Sequence, residues 1–242
     1  ELSALHGPVT LTGGVRADRW WIKKGRLLER TLATGASLRN DIAPDRQGWE
    51  PTARAGIAFD AGSITLRSAA YLGWRLPTLN ELYRPFRVGA DATAANPALK
   101  PETMRGAEIG MDVRPADGLV LRATAFTNLL RDAIGNVTLA SGPGTFPGVG
   151  FVSGAYRQRL NLDAVRSHGL ELDARYALGD WALSASYALS DARITGTNAA
   201  RALNGLRPAT SGDVLLNIQN LTGSTRADAL TGDGNANLLQ GG

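Results

Sequence analysis

Ten consecutive residues, WALSASYALS, alternate without a break. Trp181, Leu183, Ala185, Tyr187 and Leu189 fall on one face of an extended chain; Ala182, Ser184, Ser186, Ala188 and Ser190 fall on the other. A period of two marks a β-strand whose faces meet different surroundings. HGLELDARY repeats it, setting His168, Leu170, Leu172, Ala174 and Tyr176 against Gly169, Glu171, Asp173 and Arg175. ALGD joins the two as a tight turn flanked by Tyr176 and Trp181. Upstream, RGAEIGMDVRPADGLVLRATAFTN reads as two strands turning at Pro115 to Gly118, since Asp-Gly favours hairpins. There Ala107, Ile109, Met111 and Val113 oppose Glu108, Gly110, Asp112 and Arg114. ARAGIAFDAGSITLRSAAYLGW turns between Asp60 and Ser63, and a weaker turn is expected at Lys23 to Gly25, after Trp20 and Trp21. The fold class is all-β, with roughly eight strands.

The connections fall into two classes. Short turns are expected near positions 24, 61, 116 and 179, and longer segments at about 40–48, 76–101, 135–156 and 195–208. Antiparallel strands with short turns at one end and long loops at the other follow the pattern of an outer-membrane barrel. A soluble β-sandwich would alternate too. Three features favour the barrel: the alternation of loop length, the aromatics beside the short turns, and a polar face bearing Glu, Asp and Arg. A soluble core does not normally bury such a row of charges, whereas a water-filled or plugged lumen accepts it.

Composition narrows the chemistry further. Among 242 residues no apolar run reaches the roughly 18 needed for a membrane helix. With no cysteine, a disulfide framework and a thiolate metal site are excluded. His6 and His168 stand alone and read as structural. A net charge of +4, without basic clusters interleaved with aromatics, gives no footprint for nucleic acid. No nucleophile–base–acid set or phosphate-cradling glycine loop is present, so the chain is not expected to be an enzyme. Glu108 and Asp112 share a strand face and read as lumen-facing polar residues. Glu1 to Leu5 do not begin a signal peptide, so an exported protein would carry this chain as a mature or internal portion.

The longest connection carries the most specific signal. RLPTLNELY, with Pro77, Thr78, Leu79, Asn80, Glu81, Leu82 and Tyr83, is followed by ANPALKPET, with Asn96, Pro97, Leu99, Pro101 and Glu102, and then by a strand containing EIG. This order closely resembles the signature of TonB-dependent outer-membrane receptors. RSHGLELDARYALG resembles that family's Gly-x-Glu-Leu strand, and LNGLRPA a loop-to-strand entry near the barrel's end. The resemblance covers about residues 8–209. It implies a large plugged barrel of the 22-stranded class, of which these strands form a part. It also implies uptake of a scarce ligand, a ferric siderophore or cobalamin, driven through the TonB complex. The plug and the TonB-contacting segment are not expected within this chain. The implied location is the outer membrane of a Gram-negative cell, in contact with its lipid.

Within the motif, Pro77 sets the backbone as the strand ends, and Thr78 is placed to cap a helical turn through Tyr83. Glu81 and Tyr83 are candidates to touch a ligand or to pair with arginines such as Arg84 and Arg87, and these two arginines are candidate ligand contacts as well. The plainer reading is that the segment orders the rim of the barrel.

The carboxyl terminus follows another rule. LTGSTRADALTGDGNANLLQGG repeats every nine residues, aligning Gly223, Gly232 and Gly241, and also Leu221, Leu230 and Leu239. It resembles the RTX nonapeptide, which binds calcium in a parallel β-roll. Asp228, Asp233 and Asn237 are the candidate oxygen ligands to calcium. Asn237 stands where the repeat has Asp, and barely two repeats are present, so a β-roll-like or disordered tail is expected over 211–242. Residues 1–210 would form the partial barrel, with a junction near Thr210 to Gly212. The competing readings are a secreted calcium-binding repeat protein with a soluble β-domain, and a small structural barrel or pore.

Overall fold

The computed structural model describes residues 2–179 and 181–208, and the dipeptides Leu221–Thr222 and Leu239–Gln240. It divides into two compact units, Glu1–Arg207 and Pro208–Gly242. In the first, β1 (Leu2–His6) and β2 (Val9–Ile22) precede a hairpin of β3 (Arg26–Arg30) and β4 (Ser37–Ile42). Then come β5 (Arg46–Asp60), β6 (Ile64–Arg75), the short helix α1 (Leu79–Tyr83), β7 (Phe86–Val88) and β8 (Asp91–Ala94). Next are β9 (Glu102–Ala116), β10 (Leu119–Arg131), β11 (Ile134–Ser141), β12 (Gly144–Phe146), β13 (Gly150–Val152) and β14 (Ala155–Asn161). The last long pair is β15 (Ala164–Leu178) and β16 (Trp181–Thr195), followed by a 3-10 helix at Asn198–Leu203. In the second unit β17 (Leu221–Thr222) pairs parallel with β18 (Leu239–Gln240).

Eight strands hydrogen-bond side by side in the order β1-β2-β5-β6-β9-β10-β15-β16, each antiparallel to its neighbour. The sheet is open: among the described residues β1 and β16 have one neighbour each. Short turns lie at Gly7–Pro8, between Asp60 and Ile64, and at Asp117–Gly118 and Gly179. Gly118 and Gly179 adopt φ of 75° and 57°, conformations that glycine reaches without strain.

One expected turn is at the wrong end. Lys23 to Gly25 does not close a short hairpin; β2 runs to Ile22, and a long connection with its own hairpin follows to position 45. The short turn of that strand is Gly7–Pro8. Aromatics border a barrel's apolar band at both ends, so Trp20 and Trp21 do not tell one end from the other. The expected loop at 135–156 likewise spans 132–163 and is folded into four strands.

Polarity is inverted relative to a soluble protein. Ile109, on the apolar face of β9, is 65% exposed, while the Asp112 side chain on the opposite face is 13% exposed. The polar face satisfies its charges across strands. Arg67 on β6 pairs with Asp112 on β9 at 3.2 Å and donates to Thr124 on β10 at 2.7 Å. Arg122 reaches the same Asp112 at 3.3 Å.

A second sheet, β11-β14-β8-β7, is built from the long connections, with β14 parallel to β8. Its neighbourhood holds the largest fully buried side chains, Leu82, Leu99, Val137 and Val152. The packed apolar core of this unit therefore lies at the long-loop end, where it takes in the ends of the large-sheet strands at Ala164 and Ile194.

Candidate functional site

The two halves of the loop motif meet around Arg75, the last residue of β6. Its Nε donates to Glu102 Oε2 at 2.5 Å, and its two terminal nitrogens donate to Glu81 at 3.0 and 3.2 Å. Glu81 also accepts from the Thr78 N–H at 2.6 Å, while Thr78 Oγ1 accepts from the Glu81 N–H at 3.2 Å. That reciprocal pair is a capping box, and it makes α1 the helical turn expected of Thr78 to Tyr83. The other Glu102 oxygen accepts from the Ile134 N–H at 2.6 Å, tying the next long connection to the same point. Glu81 does not pair with Arg84 or Arg87 as expected. Its carboxylate points back toward the strand end, where Arg75 already needs a counter-charge.

The remaining motif residues serve the same staple. The Asn96 amide donates to the Arg159 carbonyl at 2.9 Å and its side-chain oxygen accepts from the Ala98 N–H at 3.0 Å. Leu99 is fully buried, and its carbonyl accepts from Arg46 at 2.8 Å. Asn161 brackets the Lys100 backbone from both sides, at 2.9 and 3.1 Å. Arg159 donates to the Asn80 and Arg84 carbonyls at 2.5 and 2.8 Å, satisfying the open end of α1, and its guanidinium lies over the Phe86 ring. Pro77 and Leu82 are buried; Leu79 and Pro97 are exposed; Pro101 is half-buried.

The four candidate ligand contacts fare differently. Glu81 is engaged by Arg75. Tyr83 is half-buried, its ring against Gly25 so closely that a side chain at position 25 would collide with the phenol. Arg84 is exposed. Arg87 is exposed and donates to the Val149 carbonyl. That last bond belongs to a group: Tyr156 donates to the Pro147 carbonyl at 3.1 Å and Arg39 to the Gly148 carbonyl at 2.7 Å. Three successive carbonyls thus hold side chains from β14, β4 and β7. Sequence reasoning missed Arg75, Arg39, Arg46, Arg159 and Asn161. For Arg75 a signal existed, since it adjoins the motif and is a cation beside a carboxylate-rich segment.

Electrostatics follow the contacts. Burial raises the Glu81 carboxyl, but Arg75 and the Thr78 N–H outweigh it and hold the group below the usual carboxylate range. At Asp91 on β8, the Ala155 N–H and the Arg157 guanidinium do the same. Asp228, Asp233 and Asn237 lie outside the described residues. Among the described residues no group of three His, Asp or Glu could hold a metal ion.

An antiparallel meander that turns its apolar face outward and gathers its charges on the other, with short turns at one end and interlocked connections at the other, is a sector of a membrane β-barrel. The chain belongs to the TonB-dependent receptor family: the profile described as "TonB dependent receptor-like, beta-barrel" matches residues 3–237. That match extends beyond the change of pattern at 210–212. No curated protein matches the chain by sequence. Among solved structures, it is similar to the copper transporter OprC, with 24% identity and a TM-score of 0.59 over 78% of this chain and 27% of the other. It is also similar to the hemophore receptor HasR of Serratia marcescens, solved as a double mutant with hemophore HasA and heme (22% identity, TM-score 0.58, 79% and 32% covered). The siderophore receptor PirA of Pseudomonas aeruginosa is a third (18% identity, TM-score 0.54, 78% and 33% covered). The chain spans about a quarter to a third of the length of these structures. At these identities the likeness carries the fold. Barrels of the family are outer-membrane proteins of Gram-negative bacteria.

Proposed function

We propose that the chain forms part of the wall and of the extracellular loop crown of an outer-membrane receptor. This receptor takes up a ferric siderophore or cobalamin-type ligand, with energy delivered through the TonB complex. Family membership supports uptake. The ligand class rests on one observation: the crown presents Arg84 and Arg87 to solvent beside a helix that the Arg75 staple holds in place. Exposed guanidiniums on a rigid support suit an anionic, oxygen-rich ligand. Arg84 is the foremost contact. Glu81 acts by positioning α1, and Tyr83 by packing against the first long connection.

The test is uptake of radiolabelled iron, supplied as a panel of ferric siderophores, by cells that depend on the gene encoding this chain. Arg84→Ala should raise the half-saturating concentration about tenfold with the receptor still at the surface. Absence of uptake for every siderophore, together with uptake of cobalamin, moves the ligand to the second class; uptake of neither sinks the reading.

For the tail, a calcium-binding repeat remains the proposal, with Asp228, Asp233 and Asn237 as ligands. One observation favours it: Leu221 pairs in parallel with Leu239, eighteen residues and two repeat periods away. Calcium titration followed by circular dichroism tests it. A tail whose spectrum ignores millimolar calcium is not such a site.

A further inference from the structure

Cross-strand partners share a face, which makes the charges on the apolar face easy to locate. Leu129 on β10 is registered with Arg105 on β9 and with Arg166 on β15, and Arg166 with Arg193 on β16. These four stand in one row, on the face that carries Ile109, Met111, Leu170, Leu172 and Leu189. Arg131 sits one pair nearer the long loops, opposite Thr103 and Ala164. All four arginines are exposed. The same face of these strands carries one carboxylate, Asp191, which Arg193 and Arg207 already hold at 3.0 and 3.1 Å. Arg105, Arg131 and Arg166 have no acidic partner among the described residues.

The asymmetry along the strands is as informative. Toward the short turns the face continues through Ala174, Tyr176, Trp181 and Leu183, and none of these positions carries a charge. From Arg166 to Tyr176 the strand advances about 25 Å along the membrane normal, allowing for strand tilt. That is the height of a barrel's apolar band. The guanidiniums therefore stand at the edge of the band, at the level of headgroups in the leaflet on the long-loop side, with aliphatic stems able to lie along apolar surface.

We infer that Arg105, Arg131 and Arg166 form a binding row for the phosphate of a membrane lipid headgroup. The chemistry selects this occupant: guanidinium forks match phosphate oxygens, and the row adjoins bare apolar surface suited to acyl chains. A molecule meeting both at once is a phosphorylated lipid. The inference rests on the proposed place of the chain in the barrel wall, which turns the apolar face to lipid.

The experiment reconstitutes the complete receptor in nanodiscs of equal parts phosphatidylglycerol and phosphatidylcholine. Lipids retained on release are counted by native mass spectrometry. The receptor should keep phosphatidylglycerol selectively. R105Q/R131Q/R166Q should lower that preference about a hundredfold at low salt, and R105K/R131K/R166K should keep most of it. Among the described residues none of the three side chains holds an ion pair, so the glutamine variant should remain heat-modifiable. A folded glutamine variant with unchanged selectivity overturns the inference. So does complete displacement of the lipid by inorganic phosphate at matched ionic strength, which would mark a free-anion site. Equal retention of both lipids by the unaltered receptor sinks the arginine row alone, whereas retention of neither sinks the lipid-facing reading itself.

Discussion

Tyr71 on β6 lies across Gly106, its direct partner on β9, and its hydroxyl donates to Asn128 on β10 at 2.9 Å. A Cβ at position 106 would collide with the ring. The arrangement recurs on the polar face: Arg67 covers Gly110, Phe126 covers Gly169 and Trp20 covers Gly48, each a registered cross-strand pair. Bulky side chains thus lie along the sheet instead of projecting into the lumen.

Gly106→Ala should therefore destabilise the sheet by about 1–3 kcal/mol, the usual penalty for overpacking. Gly73→Ala is the control, since nothing lies within 4 Å of its added methyl. Denaturant unfolding in detergent compares them; equal midpoints would contradict the stacking.

Arg75 is the point where α1, β9 and β11 are joined. Arg75→Met leaves Glu81 and Glu102 without their cation and should cost about 1–3 kcal/mol, reduced from the buried-pair range because the arginine side chain is 46% exposed. The expected sign is protease cleavage within 76–101 under native conditions. A loop as resistant as the unaltered one would show that the staple is dispensable.

The same network sets a pH dependence. Glu81 and Asp91 titrate lower when folded than when unfolded. Their contribution is complete above the unfolded carboxylate range, near pH 4, and is lost as pH falls through their folded values. Hydrogen exchange in 78–94 and 154–157 should be slow at pH 7 and, after correction for intrinsic rates, lose protection as pH falls below the unfolded carboxylate range. Constant protection across that interval would rule the carboxylates out as fasteners.

Thr78→Ala removes the cap of α1 and should cost about 1 kcal/mol. Thr78→Ser should restore it. Failure of serine to rescue would place the effect in packing and not in the hydrogen bond.

The open sheet makes a further demand. With β1 and β16 each paired on one side only among the described residues, the isolated chain should aggregate or fail to insert as a monomer, because unpaired edges are unfavourable in lipid and adhesive in water. A protease-resistant, heat-modifiable monomer of these 242 residues would be the contrary result.

Local periodicity alone determined much of this. Because side chains alternate strictly along a strand, the faces of β9, β15 and β16 were legible from their residues, as were the turns near 61, 116 and 179. Thr78 announced its helix because a cap acts within three residues. Register and long-range approach were not legible. That Tyr71 falls opposite Gly106, that Arg105 aligns with Arg166 and Arg193, and that Glu81 turns to Arg75 depend on which strands sit side by side and at what offset. Such pairings join residues distant in the chain, and only the closed set of strand hydrogen bonds selects one offset among many. The end at which the first hairpin closes is hidden for the same reason, since Trp21 marks an edge of the apolar band, and only the assembled sheet shows which edge.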